Sequence, residues 1–255
     1  MTLIDSHAHY EHIRFDADRD SLIKSMPQNG VELIINCGCD VPSSTASVQL
    51  AETYSHIYAT AGIHPHEAKT ASEKNLEKIK AFCMHKKVVA LGETGLDFHY
   101  DFSPRDVQRY AFKRQLEIAH ELNLPIVIHS RAANDEVLEI IQNSPVRTGV
   151  IHSFSGDAEL ALEYVNLGFY IGIGGVVTFD KTGTLQNVAT QVPLERILLE
   201  TDAPYLTPAP KRGQRNESHY LFYVAKKIAE LKNTTAENIC EQTTKNVKKL
   251  FTKII

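Results

Sequence analysis

The chain has 255 residues, 43% of them hydrophobic, and a formal net charge of -4. This length suits one sizeable core, and since no Pro/Gly/Ser-rich linker or low-complexity run interrupts it, we predict one domain over residues 1–255. The composition excludes an overall basic nucleic-acid-binding chain and, because no apolar run reaches bilayer length, a membrane-spanning protein.

Short apolar, β-branched segments alternate with helical patterns along the chain. Eight segments have the character of strands, and they are Thr2–His9, Glu32–Cys37, Ile57–Ile63, Val88–Glu93, Pro125–His129, Gly149–His152, Phe169–Val176 and Arg196–Thr201. Apolar residues at helical spacing predict helices in SEKNLEKIKAFCMH, in DVQRYAFKRQLEIAHELN and in DAELALEYVNLG, which ends at Gly168. The chain from Ser218 onward is also predicted to be helical, with a second start near Thr234 or Thr235.

Eight strands that alternate with helices predict an α/β fold, a (β/α)₈ TIM barrel of a single domain, for which about 250 residues is typical. The competing fold is an open, doubly wound parallel sheet. No G-x-G-x-x-G motif follows the first strand to support that alternative. The barrel also explains why the polar residues follow the strands, because barrel enzymes carry their active groups at the C-terminal strand ends.

Five of the predicted strands stop at side chains of the types that bind metals. These side chains are His7, His9, Glu93, His129, His152 and Asp202. Four imidazoles and two carboxylates suit a pair of divalent cations. The set predicts a hydrolase in which two metals activate water.

Alternation along a strand points the imidazoles of His7 and His9 into the barrel mouth together. An isolated H-x-H is a structural pair about as often as a metal site, and the matching strand ends favour metal here. Asp5 has the same parity one layer deeper and could orient an imidazole. Glu93 ends an apolar strand and could bridge two cations through its two oxygens; the alternative is a salt bridge to an arginine.

Asp202 ends RILLETD and is predicted to be both a metal ligand and the acceptor of a proton from the attacking water. Glu200 lies one layer deeper and is predicted to accept a hydrogen bond from a ligand imidazole. Two acids in an apolar strand are improbable as simple packing. His129 and His152 end consecutive strands, which brings their rings to neighbouring positions.

Further polar groups are predicted at the rim of this mouth. His64, in GIHPH after the third strand, is interpreted as a substrate or phosphate contact, and Arg131 should rise into the mouth beside His129. Lys211, Arg212 and Arg215 crowd the loop after the eighth strand, where a cationic rim would suit an anionic substrate. An ordinary solvated loop is the alternative.

The four cysteines, Cys37, Cys39, Cys83 and Cys240, are too few and too scattered for a disulfide framework. Cys37 and Cys39 form a C-x-C pair that could bind a metal, but we favour a pair of buried thiols. The start of the chain, MTLIDSHAHY, lacks the features of a signal peptide, so a cytoplasmic location is expected.

The chain resembles the TatD family of metal-dependent deoxyribonucleases, within the amidohydrolase-like barrel superfamily. The matching stretches extend over most of the chain and are IDSHAHY, GIHPH, ALGETGLD, QRYAFKRQLEIAHELNLPIVIHSR, IHSFSG, IGIGG, LLETDAPYLTP and RGQRNES. The resemblance implies a (β/α)₈ barrel with two metals. It also implies that the first metal is bound by His7, His9 and Asp202 and the second by His129 and His152.

The same resemblance implies that Glu93 bridges the two metals and that His64 contacts the substrate. Many amidohydrolase barrels use a carbamylated lysine at the bridging position, whereas this chain has Glu93. One departure from the family pattern is RNES at 215–218, where relatives often carry proline after the glutamate. It concerns the loop at the rim and not the metal ligands.

We therefore expect a divalent-metal-dependent hydrolase, a deoxyribonuclease that cleaves DNA phosphodiesters exonucleolytically, with Asp202 and Glu93 as its catalytic carboxylates. DNA is the expected partner; a membrane is not, and a monomer is favoured. Two alternatives remain: a metal-dependent deacylase or amidase acting on an ester or amide such as aminoacyl-tRNA, and a non-enzymatic metal-binding barrel. The sequence leaves open whether Zn²⁺, Mn²⁺, Mg²⁺, Co²⁺ or Ni²⁺ is bound, and whether DNA or RNA is preferred.

Overall fold

A computed structural model describes residues 2–254, so the two end residues of the predicted domain lie outside the described part of the chain. These residues form one eight-stranded sheet. Its strands are β1 (Leu3–Ala8), β2 (Val31–Cys37), β3 (Ile57–Ala61), β4 (Val88–Asp97), β5 (Ile126–Arg131), β6 (Gly149–His152), β7 (Tyr170–Ile173) and β8 (Ile197–Leu199).

The sheet curls into a nearly closed parallel barrel. Each strand pairs in parallel with the next one along the chain, in the order β1 to β8. A parallel bridge between Ala8 and Ala203 links the two ends of the sheet. The predicted (β/α)₈ TIM barrel is therefore confirmed.

Helices follow the strands around the outside of the barrel. Within residues 2–254 they are α1 (Arg19–Ser25), α2 (Val41–Thr53), α3 (Glu73–Cys83), α4 (Arg105–Glu121), α5 (Asn134–Gln142), α6 (Ala158–Asn166), α7 (Thr184–Gln191), α8 (Leu221–Leu231) and α9 (Ala236–Leu250). Thr235 caps α9 by accepting the Asn238 N–H, at one of the two predicted start positions. No helix among these residues has both the length and the apolar character required to cross a bilayer.

Helix α2 had no clear signal in the sequence. Its buried face includes Ser44, Ser47 and Ala51, which are small and partly polar and do not produce an apolar stripe. Its start is nevertheless encoded locally, because Asp40 and Ser43 form a reciprocal capping box.

Several strand ends differ from the prediction. β4 continues past Glu93 to Asp97, and this extra segment pairs with β5. The pairing needs a glycine at position 95, because the β5 backbone at His129 lies too close for a side chain there. β5 likewise continues to Arg131. β7 ends early, and the predicted strand residue Val176 lies in a 3₁₀ turn, Gly175–Thr178.

Each of the eight strands contributes at least one buried side chain to the barrel interior. These residues include Ile4, Ile35, Tyr58, Val89, Val127, Val150, Tyr170 and Leu198. Val247, Leu250 and Phe251, at the end of α9, pack against the same cluster. The interior is thus a packed core, and the opposite, C-terminal mouth is available for chemistry.

Candidate metal centre

The six predicted ligand residues converge at the C-terminal mouth of the barrel. Groups of three bring one potential ligand atom each to within 4.8 Å of one another, and the residues in these groups include His7, His9, Glu93, His129, His152 and Asp202. A cavity of about 1070 Å³ is lined by five of them, all but His7. All except Asp202 and His129 are buried.

Glu93 lies at the centre of the cluster, and its two carboxylate oxygens face different imidazoles. Oε2 lies 3.2 Å from Nε2 of His7 and 3.9 Å from Nε2 of His9. Oε1 lies 3.0 Å from Nδ1 of His129 and 3.9 Å from Nε2 of His152. No arginine accompanies Glu93 among these contacts, so the alternative of an Arg–Glu93 salt bridge finds no support.

Asp202 closes the cluster from the β8 side. It lies three residues beyond the end of β8 and has a left-handed backbone with φ 56°. Its N–H donates to the carbonyl of His7 at 2.9 Å, which fixes the loop to β1. As a result Oδ1 lies 3.3 Å from Nε2 of His9, 3.8 Å from Nε2 of His152 and 3.9 Å from Nε2 of His7.

The outer nitrogen of His9 is held by a backbone oxygen. Nδ1 lies 2.9 Å from the carbonyl oxygen of Cys37. Because a carbonyl only accepts, Nδ1 carries the hydrogen, and Nε2 of the neutral ring presents a lone pair. That lone pair faces Asp202 and Glu93.

His129 is oriented by a carboxylate that the sequence reasoning missed. Its Nε2 lies 3.1 Å from Oδ2 of the fully buried Asp97 and its Nδ1 lies 3.0 Å from Oε1 of Glu93. In the neutral ring Nε2 would donate to Asp97, and Nδ1 would present its lone pair toward Glu93. Asp97 escaped notice because β4 was expected to end at Glu93. The sequence does contain an indication of Asp97. If the strand continues, the residues two and four positions beyond Glu93 lie on the same face of the strand as Glu93.

His152 has the predicted partner. Its Nδ1 lies 3.1 Å from Oε1 of Glu200, which also accepts the Ser153 N–H at 2.5 Å. Asp5, in contrast, does not orient an imidazole. Its oxygens accept hydrogen bonds from Thr201 and Ser218, because its side chain turns toward β8 and the loop that follows it.

The donor set fits a cation. Three imidazoles have one nitrogen beside an oxygen acceptor, and each turns its other nitrogen toward Glu93 or Asp202. Neutral imidazoles would place lone pairs against carboxylate oxygens, with no hydrogen between them. Such a convergence of acceptors is stabilised by divalent metal ions, for which His and carboxylate are common ligands.

The close approach of carboxylates and imidazoles also shifts the pKa values of these groups. Burial raises the pKa of Glu93 and of Asp202, but the surrounding imidazoles hold both below their usual values, so both are carboxylates at neutral pH. Burial lowers the pKa of His152, whereas Glu200 and Glu93 outweigh it and raise the value to about 9. Without metal, protons therefore neutralise the charge of the carboxylates.

His64 lies at the edge of the cluster, with Nε2 3.5 Å from Oε1 of Glu93. Its Nδ1 accepts the N–H of His66 at 3.1 Å, and burial lowers the pKa of the ring well below its usual value. In the neutral ring the hydrogen therefore lies on Nε2, and this nitrogen acts as a donor.

The C-x-C pair is divided between core and cavity. Cys37 is fully buried, as expected, and burial raises its pKa. Cys39 is half-buried and lines the cavity, with Sγ 3.8 Å from Oε2 of Glu93. All four cysteines are free thiols, which agrees with the prediction of no disulfide framework.

The rim is less cationic than predicted. Arg131 is exposed and lines the cavity, but Lys211, Arg212 and Arg215 do not. Arg215 is paired with Asp18 and Glu217, each at 2.7 Å. Arg212 packs over Phe179, with its guanidinium carbon 4.1 Å from the ring centroid.

A parallel barrel with clustered His, Glu and Asp side chains at its C-terminal mouth defines the class of metal-dependent barrel hydrolases. The family model of the TatD related DNases matches residues 4–252. The chain belongs to this family, as the resemblance of its motifs implied.

Similar proteins span the same length. A Bacillus subtilis relative described as the uncharacterized metal-dependent hydrolase YabD is 43% identical and aligns over 98% of each chain. A Klebsiella pneumoniae relative, 34% identical over 93% of each chain, is named 3'-5' ssDNA/RNA exonuclease TatD. The crystal structure of YJJV, a TatD homolog from Escherichia coli, superposes with a TM-score of 0.92 at 32% identity, covering 98% of each chain.

Proposed function

We propose that this metal-dependent hydrolase is a deoxyribonuclease that removes nucleotides from the end of single-stranded DNA. The observation that carries the proposal is the pair of carboxylate oxygens on Glu93, each facing a different set of imidazoles. This arrangement suits two cations side by side, a device used in phosphodiester hydrolysis. The nuclease name of the Klebsiella relative supports the choice of substrate.

Each cation would have its own ligands. His7, His9 and Asp202 would hold one, His129 and His152 the other, and Glu93 would bridge them. Divalent cations bound there supply Lewis-acid activation of both the phosphate and the attacking water. Zn²⁺, Mn²⁺, Mg²⁺, Co²⁺ and Ni²⁺ are all compatible with the ligand types.

The protein's own groups would position the substrate and move the proton. Asp202, an ionised carboxylate beside three imidazoles, would accept the proton of the attacking water. As the new bond to phosphorus forms, the bond to the leaving oxygen breaks, and this oxygen would keep the electron pair and take up a proton from solvent water. His64 would donate from Nε2 to the phosphate, and the exposed Arg131 would bind it from the rim.

An activity panel on purified, metal-stripped protein tests the proposal. Single-stranded DNA, RNA, a small phosphodiester and aminoacyl-tRNA would each be offered with each of the five cations. We expect cleavage of DNA, with products appearing one nucleotide at a time. Hydrolysis of aminoacyl-tRNA alone would instead identify a deacylase.

A second measurement addresses the metal centre itself. Anomalous diffraction and metal analysis of the wild-type protein should locate two cations among the six ligands. Finding a single cation, or cations elsewhere, would refute the two-metal arrangement even if the protein cleaves DNA.

A further inference from the structure

Exposed aromatic side chains line the mouth of the barrel. Seven large hydrophobic side chains are exposed among residues 2–254, and three of them line the cavity next to the metal centre. They are Tyr100, Phe102 and Tyr205, which are 46%, 58% and 43% exposed. Nothing in the proposed chemistry at Glu93 or Asp202 uses these rings.

Tyr100 and Phe102 form a stacked pair. Their ring centroids are 5.2 Å apart and the planes differ by 17°. The guanidinium carbon of Arg131 lies 4.7 Å from the Tyr100 centroid, and the rings of His66 and Phe102 meet edge to face with centroids 4.8 Å apart. A π surface next to a cation is the combination that binds a nucleobase and its phosphate together.

The pair is held at a fixed position relative to the metal centre. Oδ1 of Asp97 accepts the backbone N–H of Tyr100 at 2.9 Å, and Oδ2 of the same carboxylate receives Nε2 of His129 at 3.1 Å. Arg105 pairs with Asp101 at 2.7 Å and so braces the intervening turn. The Asp97 carboxylate thus positions both His129 and the aromatic pair. Because the pair is already held in place, little side-chain conformational entropy would be lost when a base stacks on it.

We propose that Tyr100 and Phe102 form a base-stacking platform that holds an unpaired nucleobase of the strand being cleaved, with Arg131 on the adjoining phosphate. The proposal rests on the nuclease function proposed above and adds a subsite to it. Base pairs inside a duplex bury their faces against their neighbours, so the platform selects single strands. Because every base has a π face, it should be tolerant of sequence.

The test uses short single-stranded oligonucleotides with 2-aminopurine at the terminal position and phosphorothioate linkages that resist cleavage. Stacking on an aromatic ring quenches the fluorescence of 2-aminopurine. The wild-type protein should quench it, and Phe102→Ala should weaken binding about tenfold, as expected for the loss of a base-stacking aromatic. Phe102→Trp should bind about as well as wild type.

Two controls separate stacking from a general disturbance. Phe222→Ala removes an aromatic side chain that is 38% exposed and lies outside the cavity lining, and it should bind normally. An oligonucleotide that lacks the terminal base should bind weakly to wild type, and Phe102→Ala should weaken it no further.

The outcomes distinguish this inference from the nuclease proposal. If wild type cleaves DNA but Phe102→Ala and Tyr100→Ala bind the normal and the abasic oligonucleotides with wild-type affinities, the platform is refuted and the nuclease stands. If wild type neither binds nor cleaves any polynucleotide, the nuclease proposal fails, and the platform fails with it.

Discussion

Asp97 and His129 lie side by side on neighbouring strands, with Oδ2 of the carboxylate 3.1 Å from Nε2 of the imidazole. The same oxygen lies 2.9 Å from Nε2 of His66. The contact determines which nitrogen of His129 is free, and therefore which atom can bind a metal. A carboxylate behind a histidine ligand also makes the imidazole a better donor.

Asp97→Asn should therefore weaken metal binding without removing a ligand. We expect the affinity for one cation to fall by about 10- to 100-fold, the usual effect of such a partner. Titration of the stripped protein with Zn²⁺ or Mn²⁺ would measure it. Asp101→Asn is the matched control, because Asp101 lies only four residues further along, in the turn after β4, and pairs with the exposed Arg105. Equal affinities for both variants would show that Asp97 has no such role.

Asp202→Asn and His9→Ala should fail in different ways. Asp202→Asn keeps a coordinating oxygen but loses the basicity, so it should retain its fold and at least one metal. Its turnover should fall on the order of a hundredfold or more, as for a positioned general base. His9→Ala should lose one metal first, and excess metal should partly restore its activity. Near-normal turnover of Asp202→Asn at saturating metal would place the proton acceptor elsewhere.

Metal binding should release protons. Glu200 and Glu93 outweigh the effect of burial and raise the pKa of His152 to about 9, so its ring is protonated in the metal-free protein at pH 7. A cation needs the lone pair on Nε2 and must displace that proton. Affinity should therefore rise as the pH rises from 7 to about 9.

Calorimetry in two buffers with different ionisation enthalpies would count the protons released at pH 7. The count should be at least one for wild type and smaller for His152→Asn. A binding enthalpy that does not depend on the buffer would contradict the expected protonation of His152.

Arg131→Ala and His64→Ala should spare the metals. Both side chains border the site, and neither is among the six residues that are proposed to hold the cations. We expect weaker DNA binding or slower turnover with metal content near the wild-type value. Metal analysis beside steady-state kinetics would test this, and loss of metal from either variant would reassign that residue as a ligand.

Gly95→Ala should destabilise the protein and disturb His129. Gly95 has φ 141°, which L residues rarely adopt, and an added Cβ would collide with the carbonyl oxygen of His129. We expect a loss of at least about 1–3 kcal/mol in the free energy of unfolding, the usual range for such strain. Gly213→Ala is the control for the collision, since Gly213 also has a positive φ, 86°, but no atom lies within 4 Å of its added Cβ. Gly95→Ala should therefore cost more than Gly213→Ala.

The barrel and the six residues at its mouth could be predicted from the sequence alone. The segment Gly149–His152 is short, apolar and bounded by polar residues, so its type and both of its ends could be predicted. The C-terminal ends of all parallel strands in one barrel lie at the same mouth. For this reason His7, Glu93 and Asp202 could be predicted to lie close together although they are far apart in the chain.

The contacts that hold these side chains in place could be seen in the folded protein alone. Asp97 acquires its role from the register of β4 against β5, and Arg215 is neutralised by Asp18, nearly two hundred residues away in the chain. The stacking of Tyr100 on Phe102 depends on a turn fixed by Asp97. The alternation of residues along a strand predicts which face of the strand a side chain occupies. Which residue it contacts depends on strand register, on the path of the loops and on packing between segments that are distant in the chain.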